Sequence, residues 1–400
     1  MPSAIIPIYS HRLPISFASG QGIWLWENLT RSKPAYLDAL AGKGVSNLGH
    51  SHPNVLQAIQ KQASQLIHTS NLYRIEQQEQ LAVNLCQRFD MAQAFFANSG
   101  AETIEAALKI ILRYSAAYAI KKPLFITLKG SYHGRTLGAL SASSSKILLP
   151  EKIIMGSLNG LEAIQLPINN VAVFQQTFET YGARIAAVLI EPIQGDSGIQ
   201  ALSQNFLHTI RLLCNQYNSL LIADEIQTGL CRTGSWLACD HAKIQPDIIV
   251  LAKALANGIP IGAYLVNQKA QGLLNGYHGS TFSGNPLSCA VALTVLETLE
   301  KEQINANVIR QSRYLKEQFK KILSRYSIIK AIRSYGLMVG IELKKPCQEI
   351  LHIALQHKLL FDVVAYNTIR LLPPLIINQT EIDELVKRLD RTLYQYTTPI

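Results

Sequence analysis

Apolar positions in the central part of the chain fall in short runs separated by stretches of helical periodicity. The runs lack a strict alternation of apolar and polar residues, which is typical of strands buried on both faces of a mainly parallel sheet. We therefore predict an α/β fold with a mainly parallel central sheet and a smaller α+β domain. The runs are AFFA (94–97), LFITL (124–128), AAVLI (186–190), LLIA (220–223) and IIVL (248–251).

The flanking segments give further elements. A hairpin is predicted for residues 15–30, around Trp24 and Trp26, and an amphipathic helix for 53–67, where proline is followed by apolar residues at helical spacing. The later elements are one or two long helices (286–325), strands (337–343, 368–372) and helices (347–357, 380–394).

These elements divide into three predicted parts. The large central domain is expected to span 49–285, and the C-terminal small domain 286–400. The N-terminal segment, 1–48, is expected to join the small domain. A chain of 400 residues is long enough for this organisation.

Composition and charge exclude several classes of protein. The net charge is +10, but the lysines and arginines are scattered without a basic block, so we expect no nucleic-acid partner. A diffuse positive field suits an anionic small substrate equally well. The most hydrophobic stretch, 247–266, contains Asp247, Lys253 and Pro260 and is not a simple membrane span, so no membrane partner is expected.

The six cysteines and the N-terminus bear on the compartment. No cysteine pair has C-x-x-C spacing, so neither a zinc site nor a thioredoxin-like motif is predicted. Scattered cysteines in a long chain suggest reduced thiols, and the first residues lack the basic and apolar regions of a signal peptide. We expect a cytoplasmic protein without a metal.

Two predicted strands end in groups of complementary chemistry. Lys253 follows the run at 248–251, and Asp224 follows the run at 220–223. Ligands of open α/β sheets bind at the carboxyl ends of the strands. An amine for a Schiff base and an acid for a pyridinium nitrogen are what pyridoxal phosphate (PLP) requires. The alternative is that Lys253 is a solvated lysine at the start of a loop.

The first run leads into a turn that suits a phosphate. Residues 98–102 are NSGAE, and a helix is predicted to follow at 103–118. A glycine-containing turn at a helix N-terminus presents backbone N–H groups to an anion. The alternative is an ordinary helix cap formed by Asn98 or Ser99.

Two more strand ends carry candidate groups. Tyr132 could stack on a pyridine ring, and Arg135 could hold a carboxylate with two hydrogen bonds. Glu191 ends the third run, where it faces substrate or forms a structural ion pair. A glycine turn with surface side chains remains the alternative for the segment 130–135.

These motifs together resemble the class III PLP-dependent aminotransferases over residues 9 to 390, most closely the members that act on N-acetylornithine. The motifs shared with the whole family are NSGAE (98–102), YHGRT (132–136), EPIQG (191–195), DEIQTG (224–229), LAKAL (251–255), GSTF (279–282) and RLLPP (370–374). Those typical of the N-acetylornithine branch are GIWLW (22–26), NLGHSHP (47–53) and SNLY (70–73).

The resemblance implies PLP as cofactor, fold type I and a homodimer with active sites at the subunit interface. It implies that Lys253 binds the cofactor aldehyde and moves protons, that Asp224 pairs with the pyridine nitrogen and that Gln227 lies near the cofactor hydroxyl. Phosphate contacts are implied for Ser99, Gly100 and Ala101, and for Thr281 across the subunit interface.

The resemblance also implies a set of substrate contacts. Arg135, with Ser280 nearby, would hold a carboxylate of acetylornithine, and Arg370 would bind the α-carboxylate of glutamate or 2-oxoglutarate. Glu191 would pair with Arg370 when the other substrate is bound. Tyr132 would cover the cofactor ring, where many relatives carry phenylalanine.

The implied reaction moves the δ-amino group of N-acetylornithine to 2-oxoglutarate, in arginine biosynthesis. Ornithine, succinylornithine, succinyldiaminopimelate and 4-aminobutyrate remain alternative donors, and a non-catalytic PLP-binding regulatory protein is the alternative of another class. The sequence departs from the family pattern at Asp196-Ser197, at Thr103-Ile104, at Ser283 and in the segment 361–367. The last departure bears on the substrate more than on the reaction.

Overall fold

The computed structural model describes residues 4–6, 12–144, 160–271 and 275–398. Within these residues the helices are α1 (Ala41–Gly44), α2 (Pro53–Gln65), α3 (Glu76–Phe89), α4 (Gly100–Ala117), α5 (Leu137–Ala142), α6 (Val171–Tyr181), α7 (Gln204–Gln216), α8 (Pro286–Lys301), α9 (Ile304–Leu323), α10 (Ile350–Gln356) and α11 (Gln379–Thr397).

The strands of the same residues form four sheets. They are β1 (Ser19–Gln21), β2 (Trp24–Trp26), β3 (Tyr36–Asp38), β4 (Gln93–Ala97), β5 (Leu124–Leu128), β6 (Glu162–Leu166), β7 (Ile185–Ile190), β8 (Ile193–Gln194), β9 (Gln200–Ala201), β10 (Leu220–Asp224), β11 (Ile248–Leu251), β12 (Gly262–Val266), β13 (Ile329–Tyr335), β14 (Met338–Leu343), β15 (Leu359–Leu360), β16 (Asp362–Val364) and β17 (Thr368–Leu371).

The central sheet has seven strands in the order β4-β12-β11-β10-β7-β5-β6. Four neighbouring pairs are parallel, and β12 runs antiparallel to both β11 and β4. The prediction of a mainly parallel sheet is therefore confirmed. Strands β6 and β12 were not predicted, since the first is polar and partly exposed and the second follows a glycine- and proline-containing loop.

Successive side chains of each central strand point to opposite faces of the sheet, so a separate hydrophobic core forms on each face. Phe125, Ile222 and Val250 pack with α4 on one face of the sheet. Their chain neighbours Ile126 and Ile249 belong to the larger core on the opposite face. Burial on both faces explains why the apolar runs lack a polar alternation, and it holds the strand ends rigidly in register.

The flanking sheets join distant parts of the chain. Strand β15 pairs with β3, so the N-terminal segment shares a sheet with the C-terminal part. Strands β13, β14, β17 and β16 form another sheet, whose strand β13 contacts α9, and α9 packs against α11. Helix α8 packs against α2 and α3. The three domain boundaries given above remain a prediction.

The predicted peripheral elements are observed with small shifts of their ends. The hairpin is β1 with β2, the amphipathic helix is α2, and the long helical stretch is divided between α8 and α9. The division falls at Gln303, whose backbone is left-handed (φ 50°). Among the described residues, no helix has the length and apolar character that a membrane crossing requires.

Candidate active site

Sheet register brings the predicted catalytic groups to one edge. Glu191 directly follows β7, and Ile190 at its end lies opposite Ala223 on β10, so Glu191 is level with Asp224. Asp224 is in turn opposite Val250 on β11, three residues before Lys253. Parallel strands end at the same edge, which is why three groups far apart in sequence meet there.

Lys253 is half-buried at the end of β11 and adopts a left-handed backbone with φ 46°. This conformation costs a non-glycine residue about 1 kcal/mol or more. Burial lowers the pKa of its amine below the ordinary lysine value, although Asp196 and Asp224 act in the opposite direction. A lysine that loses its proton more readily is a better nucleophile, so the solvated-loop alternative is not supported.

Asp224 is buried and is oriented by two hydrogen bonds. Its Oδ2 lies 2.7 Å from Nδ1 of His133, and its Oδ1 accepts the N–H of Ile226 at 3.1 Å. His133 is itself buried, and its Nε2 has no partner among the described residues. The carboxylate is therefore fixed in one orientation by a histidine that the sequence-based site did not include.

A cavity of about 630 Å³ lies at this edge, and we call it the inner cavity. Nine of the predicted site residues line it. They are Ser99, Gly100, Ala101, Tyr132, Arg135, Glu191, Asp224, Gln227 and Lys253. Strands β4, β5, β7, β10 and β11 thus each deliver a group to one cavity.

The N-terminus of α4 opens onto the inner cavity. Ser99 caps this helix, with its hydroxyl accepting the N–H of Glu102 at 3.3 Å. The helix-cap alternative is therefore realised, and it leaves the N–H groups of Gly100 and Ala101 without intrahelical acceptors. A Cβ at Gly100 would lie 2.6 Å from Cδ1 of Ile226, so any larger residue requires the Ile226 side chain to move.

Glu191 does not contact Arg370 in this structure, and the pairing that the resemblance implies for the state with the other substrate bound stays a prediction. Its carboxylate accepts the backbone N–H groups of Tyr132 at 2.8 Å and Gly195 at 3.4 Å. Burial, together with the nearby Asp224, raises its pKa well above the ordinary glutamate value. Glu191 is thus held in the wall of the cavity, and its surroundings disfavour the charged form of its carboxyl group.

Arg370 is bound by two aspartates instead. Its Nη1 donates to Asp196 at 2.6 Å, and its Nε and Nη2 donate to Asp362 at 3.0 and 2.7 Å. Burial opposes its charge, but these two carboxylates raise its pKa above the ordinary arginine value. Gln227 lies 3.4 Å away, through its Oε1.

A second cavity of about 700 Å³, the outer cavity, adjoins the inner one. Arg370 and Asp362 line it, while Tyr132, Arg135 and Asp196 line both cavities. Arg135 is exposed, and its guanidinium lies 6.0 Å from the centre of the Tyr132 ring. The buried Arg370 and the exposed Arg135 therefore both line the cavities next to Lys253.

Two predicted site residues lie outside the cavities lined by this chain. Ser280 contacts the Asn98 side chain, whose Nδ2 donates to its hydroxyl at 2.7 Å. Thr281 is exposed. Neither residue is among those lining the inner or outer cavity in the part of the chain that the structure describes.

Three residues of the site were not selected from the sequence: His133, Asp196 and Asp362. His133 lies inside the YHGRT motif, so its position was visible but its contact with Asp224 was not. Asp196 and Asp362 were visible as departures from the family pattern, which is the signal that could have identified them. Their shared contact with Arg370 depends on tertiary structure.

The donor set fits PLP. The open N-terminus of α4 suits its phosphate, the buried Asp224 suits a protonated pyridine nitrogen, and Lys253 offers the amine for its aldehyde. Gly100 has no side chain, so this residue leaves the backbone N–H groups of the turn uncovered for the phosphate.

Known proteins of the same kind match almost the whole chain. The model of the family described as aminotransferase class-III matches residues 7–393. Acetylornithine aminotransferase 1 of Bordetella parapertussis is 41% identical over 99% of both chains. N-acetylornithine aminotransferase of Stenotrophomonas maltophilia has a structure with a TM-score of 0.81, 32% identity and 97% coverage of both chains.

A further solved structure is similar in fold. Ornithine aminotransferase of Toxoplasma gondii, whose active site holds PLP at partial occupancy, has a TM-score of 0.89 and 29% identity, covering 98% of this chain and 92% of its own. Family match, relatives and site geometry agree: the chain is a member of the class-III aminotransferases, which are PLP-dependent and of fold type I.

Proposed function

We propose that the chain transfers the δ-amino group of N2-acetyl-L-ornithine to 2-oxoglutarate, giving N-acetylglutamate 5-semialdehyde and L-glutamate in arginine biosynthesis. The observation that carries the proposal is the full-length similarity to relatives named acetylornithine aminotransferase, at 37% to 41% identity. The inner cavity, with Lys253 and Asp224 at adjacent strand ends, supplies the groups that an aminotransferase needs.

PLP, when bound, supplies an electron-withdrawing ring that stabilises negative charge on the carbon exchanging its amino group. Asp224, fixed by His133, holds a proton at the pyridine nitrogen. Lys253 Nζ takes a proton from the substrate carbon and returns one, acting as base and then acid. Tyr132 would cover the cofactor ring, and Gln227 would contact the cofactor hydroxyl. The α4 N-terminus would hold the phosphate at Ser99, Gly100 and Ala101.

In this proposal two arginines bind the carboxylates of the substrates. Arg370 holds the α-carboxylate of 2-oxoglutarate or glutamate, because a buried guanidinium gives strong and geometrically specific binding of a carboxylate. Arg135, at the boundary of the two cavities, holds a carboxylate of the ω-amine donor. Both substrates then react at the same Lys253 with their carboxylates on different arginines.

The proposed assembly is a homodimer with shared active sites. Leu72, Tyr73 and Phe282 are 88%, 69% and 60% exposed, which is unusual for such large apolar side chains. Asn71 donates to the carbonyl of Ser283, so the segments bearing these side chains are adjacent. In this arrangement Thr281, exposed here, would contact the phosphate bound by the partner subunit.

Free ornithine is the second candidate donor. The similarity in fold to the ornithine aminotransferase of Toxoplasma gondii favours it, since that structure has a TM-score of 0.89. Acetylornithine and ornithine differ only in whether the α-amine is acetylated, so the two sites differ only in the groups around that amine.

The absorption spectrum of the purified PLP-loaded protein tests the proposal. We expect N-acetylornithine, added without a keto acid, to remove the yellow colour of bound PLP, and 2-oxoglutarate to restore it. If the colour persists with N-acetylornithine but disappears with ornithine, the amino donor is ornithine. Retention with every ω-amine would contradict an aminotransferase of this kind and favour a regulatory PLP-binding protein.

A further inference from the structure

Helix α1 is a left-handed turn. Its four successive φ angles are 48°, 64°, 69° and 76°, for Ala41, Gly42, Lys43 and Gly44. Residues other than glycine rarely adopt this conformation, and then singly, because the Cβ atom crowds the following carbonyl oxygen. Such a conformation persists only where the surrounding structure imposes it. The position of Lys43 is therefore set by the neighbours of the turn.

A buried carboxylate holds the turn. Asp38 ends β3, and its Oδ1 accepts the backbone N–H groups of Leu40 at 2.9 Å and Ala41 at 2.8 Å. Its Oδ2 lies 2.8 Å from Nε2 of His50, which follows the turn in the chain. Groups on both sides of the turn thus fix the backbone that carries Lys43.

The turn contributes to both cavities. Val45 lines the inner cavity, and Lys43 lines the outer one. Between them, a Cβ at Gly44 would lie 3.9 Å from Cγ of Gln227, another residue of the inner cavity. The side chain of Lys43 is 62% exposed, so its ammonium group is open to a ligand in the outer cavity.

The charge of Lys43 is only partly compensated. Its ammonium group lies 3.8 Å from Oδ2 of Asp362, which is beyond hydrogen-bonding distance. That carboxylate already accepts two hydrogen bonds from Arg370. Burial tends to raise the pKa of Asp196, whereas Arg370 and, more weakly, Lys43 lower it. The charge of Lys43 is therefore felt within the site.

The outer cavity is positively charged as a whole. Among the described residues, its lining contains four cationic side chains and two carboxylates, and both carboxylates are bound to Arg370. Subtracting two negative charges from four positive ones leaves a net charge of +2. Such a cavity attracts an anionic group and repels an ammonium group. The four cations are Lys43, Lys129, Arg135 and Arg370.

The two candidate donors differ in charge at the end that faces this cavity. Their δ-amine reacts at Lys253 in the inner cavity, so the α-carbon lies towards Arg135 and the outer cavity. N-acetylornithine carries a carboxylate and a neutral amide there, and this end is an anion. Ornithine carries a carboxylate and an ammonium group, and the same end has no net charge.

We propose that Lys43 is a specificity-determining residue, which selects donors with an acylated α-amine over free diamino acids. Its ammonium group attracts the carboxylate of N-acetylornithine and repels the α-ammonium group of ornithine. The inference rests on the proposed function, because it assumes that the δ-amine reacts at Lys253 and that the carboxylate of the donor lies at Arg135.

Single-turnover loss of the PLP absorption band, without a keto acid, measures each donor separately. Lys43→Met keeps the length of the side chain and removes its charge. We expect the preference for N-acetylornithine over ornithine to fall roughly tenfold, since one charge has about this effect in a partly solvated cavity. Lys43→Arg should keep the preference. A merely structural role of Lys43 would slow both donors equally and leave their ratio unchanged.

Lys122→Met is the matched control. Lys122 is exposed, has a left-handed backbone with φ 49° and is not among the residues that line the inner or outer cavity. Its substitution should leave the preference unchanged. Lys43→Gln carries the same expectation as Lys43→Met and replaces it if that variant does not fold. An unchanged preference in the folded Lys43 variant, or an equal loss in Lys122→Met, overturns the proposal.

Calorimetric titration of the PLP-loaded protein with N-acetyl-L-norvaline tests the same contact without turnover, because this analogue of N-acetylornithine lacks the δ-amine. We expect Lys43→Met to bind it roughly tenfold more weakly than the wild type does. Equal affinity, or no binding to either protein, overturns the proposal. A wild-type protein that binds the analogue but keeps its colour with every ω-amine would refute the proposed function by a separate result.

Discussion

The two largest fully buried side chains of the described residues are arginines, and they are satisfied in opposite ways. Arg370 is surrounded by the carboxylates of Asp196 and Asp362. Arg232 donates to neutral oxygens, namely the carbonyls of Leu337 and Pro373 at 3.0 and 2.7 Å and the side-chain amide of Asn47.

This difference separates a structural cation from a functional one. Burial lowers the pKa of Arg232 to about 9, and its acceptors come from the N-terminal segment and two C-terminal loops. These acceptors are parts of the fold and cannot be exchanged for a ligand. The partners of Arg370 include Asp196, which is partly exposed and lines both cavities, so Arg370 lies where a ligand can approach it.

The largest effect is expected from Arg370→Met. Loss of the guanidinium removes the carboxylate site and leaves Asp362 without its cation, which costs transition-state binding about 3 to 4 kcal/mol. We expect kcat/KM for 2-oxoglutarate to fall by a factor of about 10² to 10³. Single-turnover rates measured separately for the two half-reactions should show the N-acetylornithine half nearly unchanged, and an equal loss in both would contradict the assignment.

The same substitution at Arg232 should affect stability rather than turnover. Arg232→Met leaves three buried oxygens without donors, at about 1 to 3 kcal/mol each, offset in part by removal of a buried charge. We expect a net loss of about 3 kcal/mol, measured as a shift in the chemical-denaturation midpoint. KM for 2-oxoglutarate in the folded enzyme should stay as in the wild type; a change there would remove the contrast between the two arginines.

Asp362→Asn should weaken binding of 2-oxoglutarate by loosening Arg370. The amide offers one acceptor where the carboxylate offers two, and its NH₂ group meets an N–H of the guanidinium. Arg370 is then held less firmly, and we expect kcat/KM for 2-oxoglutarate to fall about tenfold. Steady-state kinetics at varied 2-oxoglutarate checks this, and a lower KM in the variant would show that Asp362 only competes with the substrate for Arg370.

The smallest effect is expected for an exposed basic side chain. Lys301 pairs with Glu297 at 3.1 Å, and both side chains are largely exposed. Solvent screens such pairs, so Lys301→Ala should leave the denaturation midpoint and both KM values unchanged. A clear destabilisation would mean that the effects at Arg232 and Arg370 do not depend on burial.

The sequence was sufficient to locate the groups at the strand ends, but it did not reveal which side chains these groups contact. Lys253, Asp224 and the NSGAE turn were found because each follows an apolar run, and strand register places them as expected. The Glu191–Arg370 pair, which the resemblance implies for the state with the other substrate bound, stays a prediction. In this structure Arg370 contacts Asp196 and Asp362, because the turn after β8 and strand β16 bring these carboxylates to it. The roles of Ser280 and Thr281 stay predictions, since both lie outside the cavities of this chain.

What the sequence determined by itself is local: apolar runs of strand length, the glycine that lets α4 open onto the cavity, and the lysine and acids that end the strands. These follow from periodicity and residue chemistry, which each segment carries alone. Tertiary structure alone decided that Asp196 and Asp362, 166 positions apart in number, converge on one guanidinium. Burial makes that charge costly without a partner, and only the folded sheet determines which carboxylates reach it.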